Sequence, residues 1–140
     1  MSIKITKILP AETWRIRHEV MWPHKPLNYI KLSNDDVGQH FGLWKMNTLI
    51  SVVSLFFDRD EVQFRKFATL HDEQGNGYGT QLLNYVFNYA FSIGVKKIWC
   101  NARVDKVFFY KKFEMSETEH RFSKGGVDYV IMEKYNKQIS

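Results

Sequence analysis

One glycine-rich segment, residues 74–80 with the sequence QGNGYGT, constrains the fold and chemistry of this chain more than any other. It lies between a β-rich run ending near Leu70 and an apolar run of helical period beginning near Thr80. Glycines at alternate positions, Gly75, Gly77 and Gly79, can take positive φ angles and let the main chain approach a ligand closely. Because such a turn opens into a helix, it presents unpaired N–H groups and the positive end of the helix dipole, which predicts an anion site that favours phosphate.

The spacing of the glycines limits the kind of site, since glycine clusters more often form plain turns than phosphate sites. A Walker loop requires Gly-Lys-Ser/Thr at its end, and no lysine follows Gly79. The dinucleotide fingerprint G-x-G-x-x-G is also absent. These two phosphate-binding classes are excluded, and the anion site stays a binding hypothesis.

The length and composition predict one globular domain over residues 1–140. A chain of this size buries roughly 70% of its unfolded surface, and 44% of the residues are hydrophobic. No apolar stretch is long enough to span a membrane, and the first residues lack the apolar segment of a signal peptide, so we expect a cytoplasmic protein with no membrane partner. The single Cys100 agrees with a reducing compartment and is best interpreted as a small buried hydrophobic residue.

The net charge of +5 suits a polyanionic ligand, either a nucleic acid or the phosphates of coenzyme A. The lysines form scattered pairs, which are typical of an ordinary solvated surface. No basic and aromatic strand motif of the RNA-binding kind appears, so we expect no nucleic-acid partner.

The alternation of apolar and polar residues predicts ten elements in the order β-α-β-β-β-α-β-α-β-β. Strands are predicted over residues 3–9, 39–44, 49–57, 62–70, 95–101, 116–122 and 127–135, and helices over 10–21, 80–93 and 105–113. The central helix is predicted to bury Leu82, Leu83, Val86, Phe87, Ala90 and Ile93. This order implies an α+β, three-layer fold with one mixed, mainly antiparallel sheet flanked by helices.

The strand over residues 62–70 has an irregular pattern. Val62 and Phe64 share one phase, whereas Phe67 and Thr69 follow the other, as a β-bulge would produce. The alternative keeps Ala68 and Leu70 in phase with Phe64 and points Lys66 outward.

Two motifs give the chain a family resemblance. Gln74-x-x-Gly77-x-Gly79 resembles the Gln/Arg-x-x-Gly-x-Gly/Ala signature of the GNAT superfamily of N-acetyltransferases. A second segment resembles the one that follows the fifth strand in that family, and its matching residues are Asn101, Phe109, Tyr110 and Lys112. Glu114-Met115 stands where the family usually has Gly-Phe, and the resemblance extends over about residues 40–135.

The resemblance implies a GNAT-like acyl-CoA N-acyltransferase fold that binds acetyl-CoA as co-substrate and needs no metal. The pyrophosphate would lie on Gln74, Gly75, Asn76, Gly77, Tyr78, Gly79 and Thr80. The pantetheine arm would pair with the main chain of Phe67, Ala68 and Thr69, and a backbone N–H near Phe67 would stabilise the oxyanion. Asn101, Phe109 and Lys112 would complete the coenzyme site with Tyr110. The opening would lie between the strand ending near Leu70 and the strand ending near Asn101.

Tyr110 is the catalytic residue that the resemblance implies, because the family tyrosine at this place lies beside the thioester sulfur. A phenol titrating near ~10 is a competent proton donor to a thiolate titrating near ~8.5. From its residue type alone, Tyr110 would be interpreted as a packed aromatic.

The acceptor and the general base are less well defined. Trp22, His24 and Tyr29 lie in the region that resembles the acceptor wall, although hydrophobic cover over the core explains them equally well. Four side chains are candidate bases, and the role stays unassigned: His40, His71, Asp72 and Glu73. The five histidines lack metal-ligand spacing.

The sequence thus predicts an N-acetyltransferase that carries acetyl from acetyl-CoA to a primary amine by direct attack. The amine would belong to a small molecule or a peptide. The alternative is a non-catalytic module of the same fold that binds or senses an acyl-CoA. The C-terminal hairpin offers an edge through which a homodimer could form.

Overall fold

The computed structural model describes residues 2–137. The elements in chain order are β1 (Ile3–Ile8), α1 (Pro10–Met21), α2 (Leu27–Ile30), β2 (Gln39–Lys45), β3 (Thr48–Asp58), β4 (Glu61–Thr69), α3 (Tyr78–Ser92), β5 (Lys97–Arg103), α4 (Val107–Lys111), β6 (Ser116–Lys124) and β7 (Val127–Tyr135). Short 3-10 turns precede β2, α3 and α4. In the described part of the chain, the helices are too short or too polar to cross a membrane.

The strands form one seven-stranded sheet in the order β1-β2-β3-β4-β5-β7-β6. The pairs β1–β2, β2–β3, β5–β7 and β6–β7 are antiparallel, whereas β4 and β5 are parallel over Glu61↔Lys97 to Gln63↔Trp99. The predicted mixed, mainly antiparallel sheet and the predicted order of elements are confirmed, with α2 and the 3-10 turns as additions.

The contacts within the chain define two compact units. The first comprises residues 2–56 and 64–88, and the second comprises 57–63 and 89–137.

In the first unit, α1 and α3 pack on opposite faces of the β2–β3 hairpin, because successive side chains of a strand alternate between faces. Phe41 contacts Tyr85 of α3, with ring centroids 6.2 Å apart. The neighbouring His40 points the other way and bonds Ser54, which in turn bonds Arg17 of α1. Consecutive residues in the middle of both strands are therefore buried.

The phase slip in β4 is present, and it lies at Lys66. Phe64 packs on Phe87 of α3, and Phe67 also faces α3, where it lies against Gly79. Ala68 instead joins the core cluster of Ile16 in α1. Two residues separate Phe64 from the next α3-facing side chain, and Lys66 has a φ of 55°, so the backbone absorbs one extra residue there. The alternative, with Ala68 in phase with Phe64, is wrong.

Helix α3 begins two residues earlier than predicted and ends before Gly94, which has a φ of 95°. The predicted apolar face is buried from Leu82 to Ala90. Ile93 is 55% exposed, so its assignment to that face was wrong: the helix has ended at Ser92, and the 3.6-residue period no longer governs.

In the second unit, β7 pairs with β5 on one side and with β6 on the other. Gly125 and Gly126 form the hairpin turn with φ angles of 59° and 78°. The buried side chain of Asn136 donates to the carbonyl oxygens of Phe91 and Val95, which satisfies acceptors at the end of α3. Strand β5 begins and ends two residues later than predicted.

The segment after β5 forms a 3-10 turn, Val104–Lys106, followed by α4. This is shorter than the predicted helix over 105–113. Glu114, where the family usually has glycine, has a φ of 65°. The backbone at this position is therefore left-handed, a conformation that glycine adopts easily and that is unfavourable for glutamate.

Candidate active site

The glycine-rich loop is exposed at residues 74–77. Gly75 and Gly77 have φ angles of 83° and 82°. Apart from the glycine and its two chain neighbours, a Cβ atom built on either would meet no atom of the described chain within 4 Å. Two side-chain amides fix the loop to its own flanks: Gln74 Nε2 donates to the carbonyl oxygen of Thr69 at 2.9 Å, and Asn76 Nδ2 to that of Glu73 at 3.4 Å. The main chain at residues 75–77 is therefore held in place and uncovered.

Helix α3 opens directly from this loop. Gln81 N–H donates to the carbonyl oxygen of Gly77 at 3.0 Å and closes the first helical turn. The amides of Gly79 and Thr80 come before that bond and have no acceptor within the helix. The open glycines, these amides and the helix dipole together fit a bound phosphate group.

Gly79 has a different function from the other two glycines. A Cβ atom there would lie 2.7 Å from Cζ of Phe67 and 3.3 Å from Oγ1 of Thr69. Thr69 is itself fixed by a 2.8 Å hydrogen bond between its hydroxyl and that of Ser51. The absent side chain at Gly79 thus lets the first turn of α3 pack closely on β4.

A charged contact fixes the start of this region to β2. Lys45 Nζ lies 3.1 Å from a carboxylate oxygen of Glu73 and 5.6 Å from the ring centroid of the buried Tyr78. The hydrogen bond to Glu73 raises the pKa of Lys45. Glu73, one of the four candidate bases, is therefore engaged as an ion-pair partner.

The other candidate bases differ in access. His40 is only 2% exposed, and its Nε2 donates to the carbonyl oxygen of Asp35 at 2.9 Å while its Nδ1 lies 2.7 Å from Ser54 Oγ. Both ring nitrogens are occupied, so His40 is not available to a substrate amine and is removed from the four candidate bases. His71 and Asp72 are exposed in the 3-10 turn before the glycine-rich loop.

A buried ion pair supports the α1 side of the first unit. Arg17 forms two hydrogen bonds with the carboxylate of Asp35, at 2.9 and 3.0 Å, and a third with Ser54 at 2.9 Å. Burial raises the pKa of Asp35, but the hydrogen bonds from Arg17 and from the Leu32 N–H, with the charge of Arg17, outweigh it and hold that pKa below its usual value. Arg17 Nε is buried and, in the described part of the chain, has no hydrogen-bond partner.

Tyr110 lies in the second unit and is held in a cluster of aromatic rings. Its ring centroid is 5.2 Å from that of Phe109, which is 5.3 Å from that of Phe113. Burial raises the pKa of the Tyr110 phenol, and the Cys100 thiol acts in the same direction. The Tyr110 phenol therefore holds its proton more strongly than a free phenol does.

The remaining residues of the second motif are less enclosed. Asn101, on β5, and Lys112, which follows α4, are exposed, whereas Phe109 is half-buried. Cys100 is buried, which raises the pKa of its thiol to about 12 and agrees with its interpretation as a small apolar residue.

Two of the three expected acceptor residues lie together. The rings of Trp22 and Tyr29 meet edge to face with centroids 5.4 Å apart, and Lys25 Nζ lies 5.0 Å from the Tyr29 centroid. His24 is exposed and makes no hydrogen bond, ion pair or ring contact in the described part of the chain. The pairing supports Trp22 and Tyr29 as parts of one surface and does not include His24.

Sequence reasoning missed Arg65 and Lys66, the two consecutive cations at the slip in β4. Arg65 lies over the ring of Phe56, and Lys66 lies near the ring of Trp22. The sequence contained part of the signal, because two charged residues, Arg65 and Lys66, stand in a mostly apolar strand at the point where the alternation of side chains changes phase.

The chain is similar to known proteins over most of its length. The model of the "Acetyltransferase (GNAT) family" matches residues 9–115. The Bacillus subtilis protein named "Uncharacterized N-acetyltransferase YitI" is 26% identical over 142 residues, covering 94% of this chain and 95% of that protein.

Solved structures share the fold. A structure assigned as an N-acetyltransferase from Lactobacillus plantarum superposes with a TM-score of 0.86 at 19% identity, over 96% of this chain and 99% of that one. A GNAT family acetyltransferase from Elizabethkingia anophelis with acetyl-CoA bound superposes with a TM-score of 0.73 at 17% identity, over 95% and 97% of the two chains.

Proposed function

The chain belongs to the acetyltransferase (GNAT) family, and we propose that it transfers an acetyl group from acetyl-CoA to a primary amine. The observation that carries the proposal is the open backbone at Gly75 and Gly77, which leads into the unpaired amides at the start of α3. An anion bound there would be held by main-chain N–H groups and the helix dipole alone, without a lysine or a metal in the motif.

The coenzyme would be held by its pyrophosphate on residues 74–80 and by its pantetheine arm along the main chain of Phe67, Ala68 and Thr69. The anchored loop supports the first contact. Since Gln74 bonds the end of β4, the segment that would hold the phosphates and the strand that would hold the arm are fixed to each other. Such a rigid arrangement would limit the motion of the thioester relative to the amine, which is a major source of rate enhancement.

In the proposed reaction, the neutral amine nitrogen bonds to the acetyl carbonyl carbon and the carbon–sulfur bond breaks. The amine loses one proton and the leaving sulfur gains one. We assign the donor at sulfur to Tyr110, and Asn101, Phe109 and Lys112 to its surroundings. The raised pKa of Tyr110 makes it a weaker acid than a free phenol. It would therefore donate a hydrogen bond to the developing thiolate. The proton that the amine nitrogen loses would pass to solvent water, and the coenzyme A sulfur would take its proton from solvent as it leaves.

The test is an assay with acetyl-CoA and a broad panel of primary amines, read out as free coenzyme A thiol and as acetylated product by mass spectrometry. We expect acetylated product from at least one amine. Tight binding of acetyl-CoA with no product from any amine would overturn transfer and favour a module that only binds the acyl-CoA. Absence of binding would overturn the assignment of residues 74–80 as well.

A further inference from the structure

Arg65 is a cation without a counter-ion among residues 2–137. Its side chain is half-buried in β4 and lies over the ring of Phe56, with Cζ 5.9 Å from the ring centroid. In the described part of the chain it makes no hydrogen bond and no ion pair. A guanidinium carries five N–H donors, and placing it in a partly desolvated position without an acceptor is unfavourable.

The surroundings of Arg65 increase this cost. Burial lowers the pKa of Arg65, and the charge of Arg17 lowers it further, while the charge of Asp35, the smallest of the three effects, raises it. Asp35 cannot serve as the missing partner, because its two carboxylate oxygens already accept from Arg17 and, at one oxygen, from Trp14 and the Leu32 N–H as well. In the described part of the chain, Arg17 therefore occupies this carboxylate, and Arg65 has no carboxylate partner.

The backbone irregularity of β4 places a second cation beside the first. At Lys66 the φ of 55° interrupts the alternation of the strand, and Lys66 Nζ lies 5.9 Å from the ring centroid of Trp22, which follows α1. Trp22 in turn contacts Tyr29, over which Lys25 lies. Each ring of the surface formed by Trp22 and Tyr29 thus has a lysine ammonium within 6 Å of its centroid.

We propose that Arg65 and the surface formed by Trp22 and Tyr29, which its neighbour Lys66 reaches, together recognise an acceptor that bears a carboxylate as well as its primary amine, as a free amino acid does. The planar fork of an arginine matches the two oxygens of a carboxylate, and bound carboxylate would supply the acceptors that Arg65 lacks. Trp22 and Tyr29 would contact the apolar part of the same molecule. The inference rests on the proposed acetyl transfer for its biological meaning.

The experiment compares amino acids with their carboxamides as acceptors, using acetyl-CoA at saturating concentration. The two members of each pair have the same shape and differ in the charge of one group. The amine of the carboxamide is the less basic and therefore the more often unprotonated, so a preference for the carboxylate cannot come from the amine. We expect kcat/KM to be about tenfold higher or more for the carboxylate, in line with a charge-assisted bidentate contact.

Arg65→Gln should reduce that preference to near parity through a higher KM for the carboxylate, and it should change kcat/KM for the carboxamide by less than about twofold. Arg15→Gln is the matched control, because Arg15 is exposed on α1 and its one ion-pair partner among the described residues is Glu19, so the preference should be unchanged. The fold should survive in Arg65→Gln, since the change removes no hydrogen bond of Arg65 in the described chain and relieves the repulsion with Arg17. A thermal melt checks this.

Equal rates for carboxylate and carboxamide, or a preference that persists in Arg65→Gln, would overturn the inference while leaving acetyl transfer intact. If no amine is acetylated, the proposed function fails, and calorimetry with N-acetyl amino acids and their N-acetyl carboxamides still decides the inference. Tighter binding of the carboxylate, lost in Arg65→Gln, would support the anion site, and equal binding would refute it.

Discussion

Gly79→Ala tests why a glycine is required at the second position of α3. The new Cβ atom would lie 2.7 Å from Phe67 Cζ, whereas ordinary carbon–carbon contacts are about 3.5–4.0 Å. The Phe67 ring or the start of α3 would have to move by about 1 Å. Overpacking of this kind costs about 1–3 kcal/mol, and the better helix propensity of alanine offsets up to about 1 kcal/mol.

The net effect of the single substitution is therefore small, and a double-mutant cycle with Phe67→Leu isolates the contact. Leucine lacks the distal ring atoms, so Gly79→Ala should be neutral or stabilising in that background. We expect a coupling free energy of about 1–3 kcal/mol between the two sites. Guanidinium unfolding followed by tryptophan fluorescence measures all four proteins.

Gly75→Ala provides the contrast. Its Cβ atom would meet nothing within 4 Å, but its φ of 83° is unfavourable for alanine by about 1–2 kcal/mol. Phe67→Leu should not rescue it. If Gly79→Ala were equally destabilising with phenylalanine or leucine at position 67, the steric explanation of Gly79 would be refuted.

Three further outcomes follow from the site and its supports. Tyr110→Phe should lower kcat by about 10²-fold or more with little change in the Kd of acetyl-CoA, and an unchanged kcat would remove Tyr110 from the reaction. Asp35→Asn should destabilise the fold by about 3–5 kcal/mol, because it leaves the buried Arg17 uncompensated, whereas the exposed Asp36→Asn should have little effect in the same denaturation assay. The pKa of Asp35 is lower in the folded protein than in the unfolded chain. Its contribution to the free energy of unfolding is therefore complete above the unfolded pKa of ~3.9 and is lost as the pH falls through the folded value. In Asp35→Asn, this acid-dependent loss of stability should be absent. Glu114→Gly should raise stability by about 0.5 kcal/mol at high salt by relieving the φ of 65°, because salt screens the exposed ion pairs of Glu114 with Lys134 and Lys137 that the change removes. A loss of stability at high salt would show that the left-handed residue is not strained.

The elements were predictable because their signals are local. Pro10 fixes the start of α1, and the periodic apolar face from Leu82 to Ala90 fixes α3. The slip in β4 could also be read from sequence, since Phe64 and Phe67 cannot both face α3 in a regular strand.

The polar contacts of the first unit were not predictable, because they join residues far apart in the chain. Arg17 has the pattern of an exposed helical cation and instead meets Asp35 and Ser54, which lie 18 and 37 residues away. His40 is a residue type that often acts as a base, but both of its ring nitrogens are engaged in hydrogen bonds of the same network. Arg65 is a candidate anion-binding residue only because Arg17 already occupies the nearby Asp35 carboxylate, which the sequence does not show.

The central claim is that uncovered backbone at residues 75–80 binds the diphosphate of acetyl-CoA, and a matched pair of variants at Gly77 tests it most directly. Asparagine and aspartate have the same shape, both tolerate the φ of 82°, and the space around a Cβ atom there is open. Only aspartate adds a negative charge, which at about 6 Å from a phosphate and an intermediate dielectric costs about 1–2 kcal/mol. Calorimetry at low salt should therefore give a Kd for acetyl-CoA about 5–30 times weaker in Gly77→Asp than in Gly77→Asn, with the ratio falling as salt is added. Equal affinities at low salt would contradict the claim, because no anion would then lie at this loop.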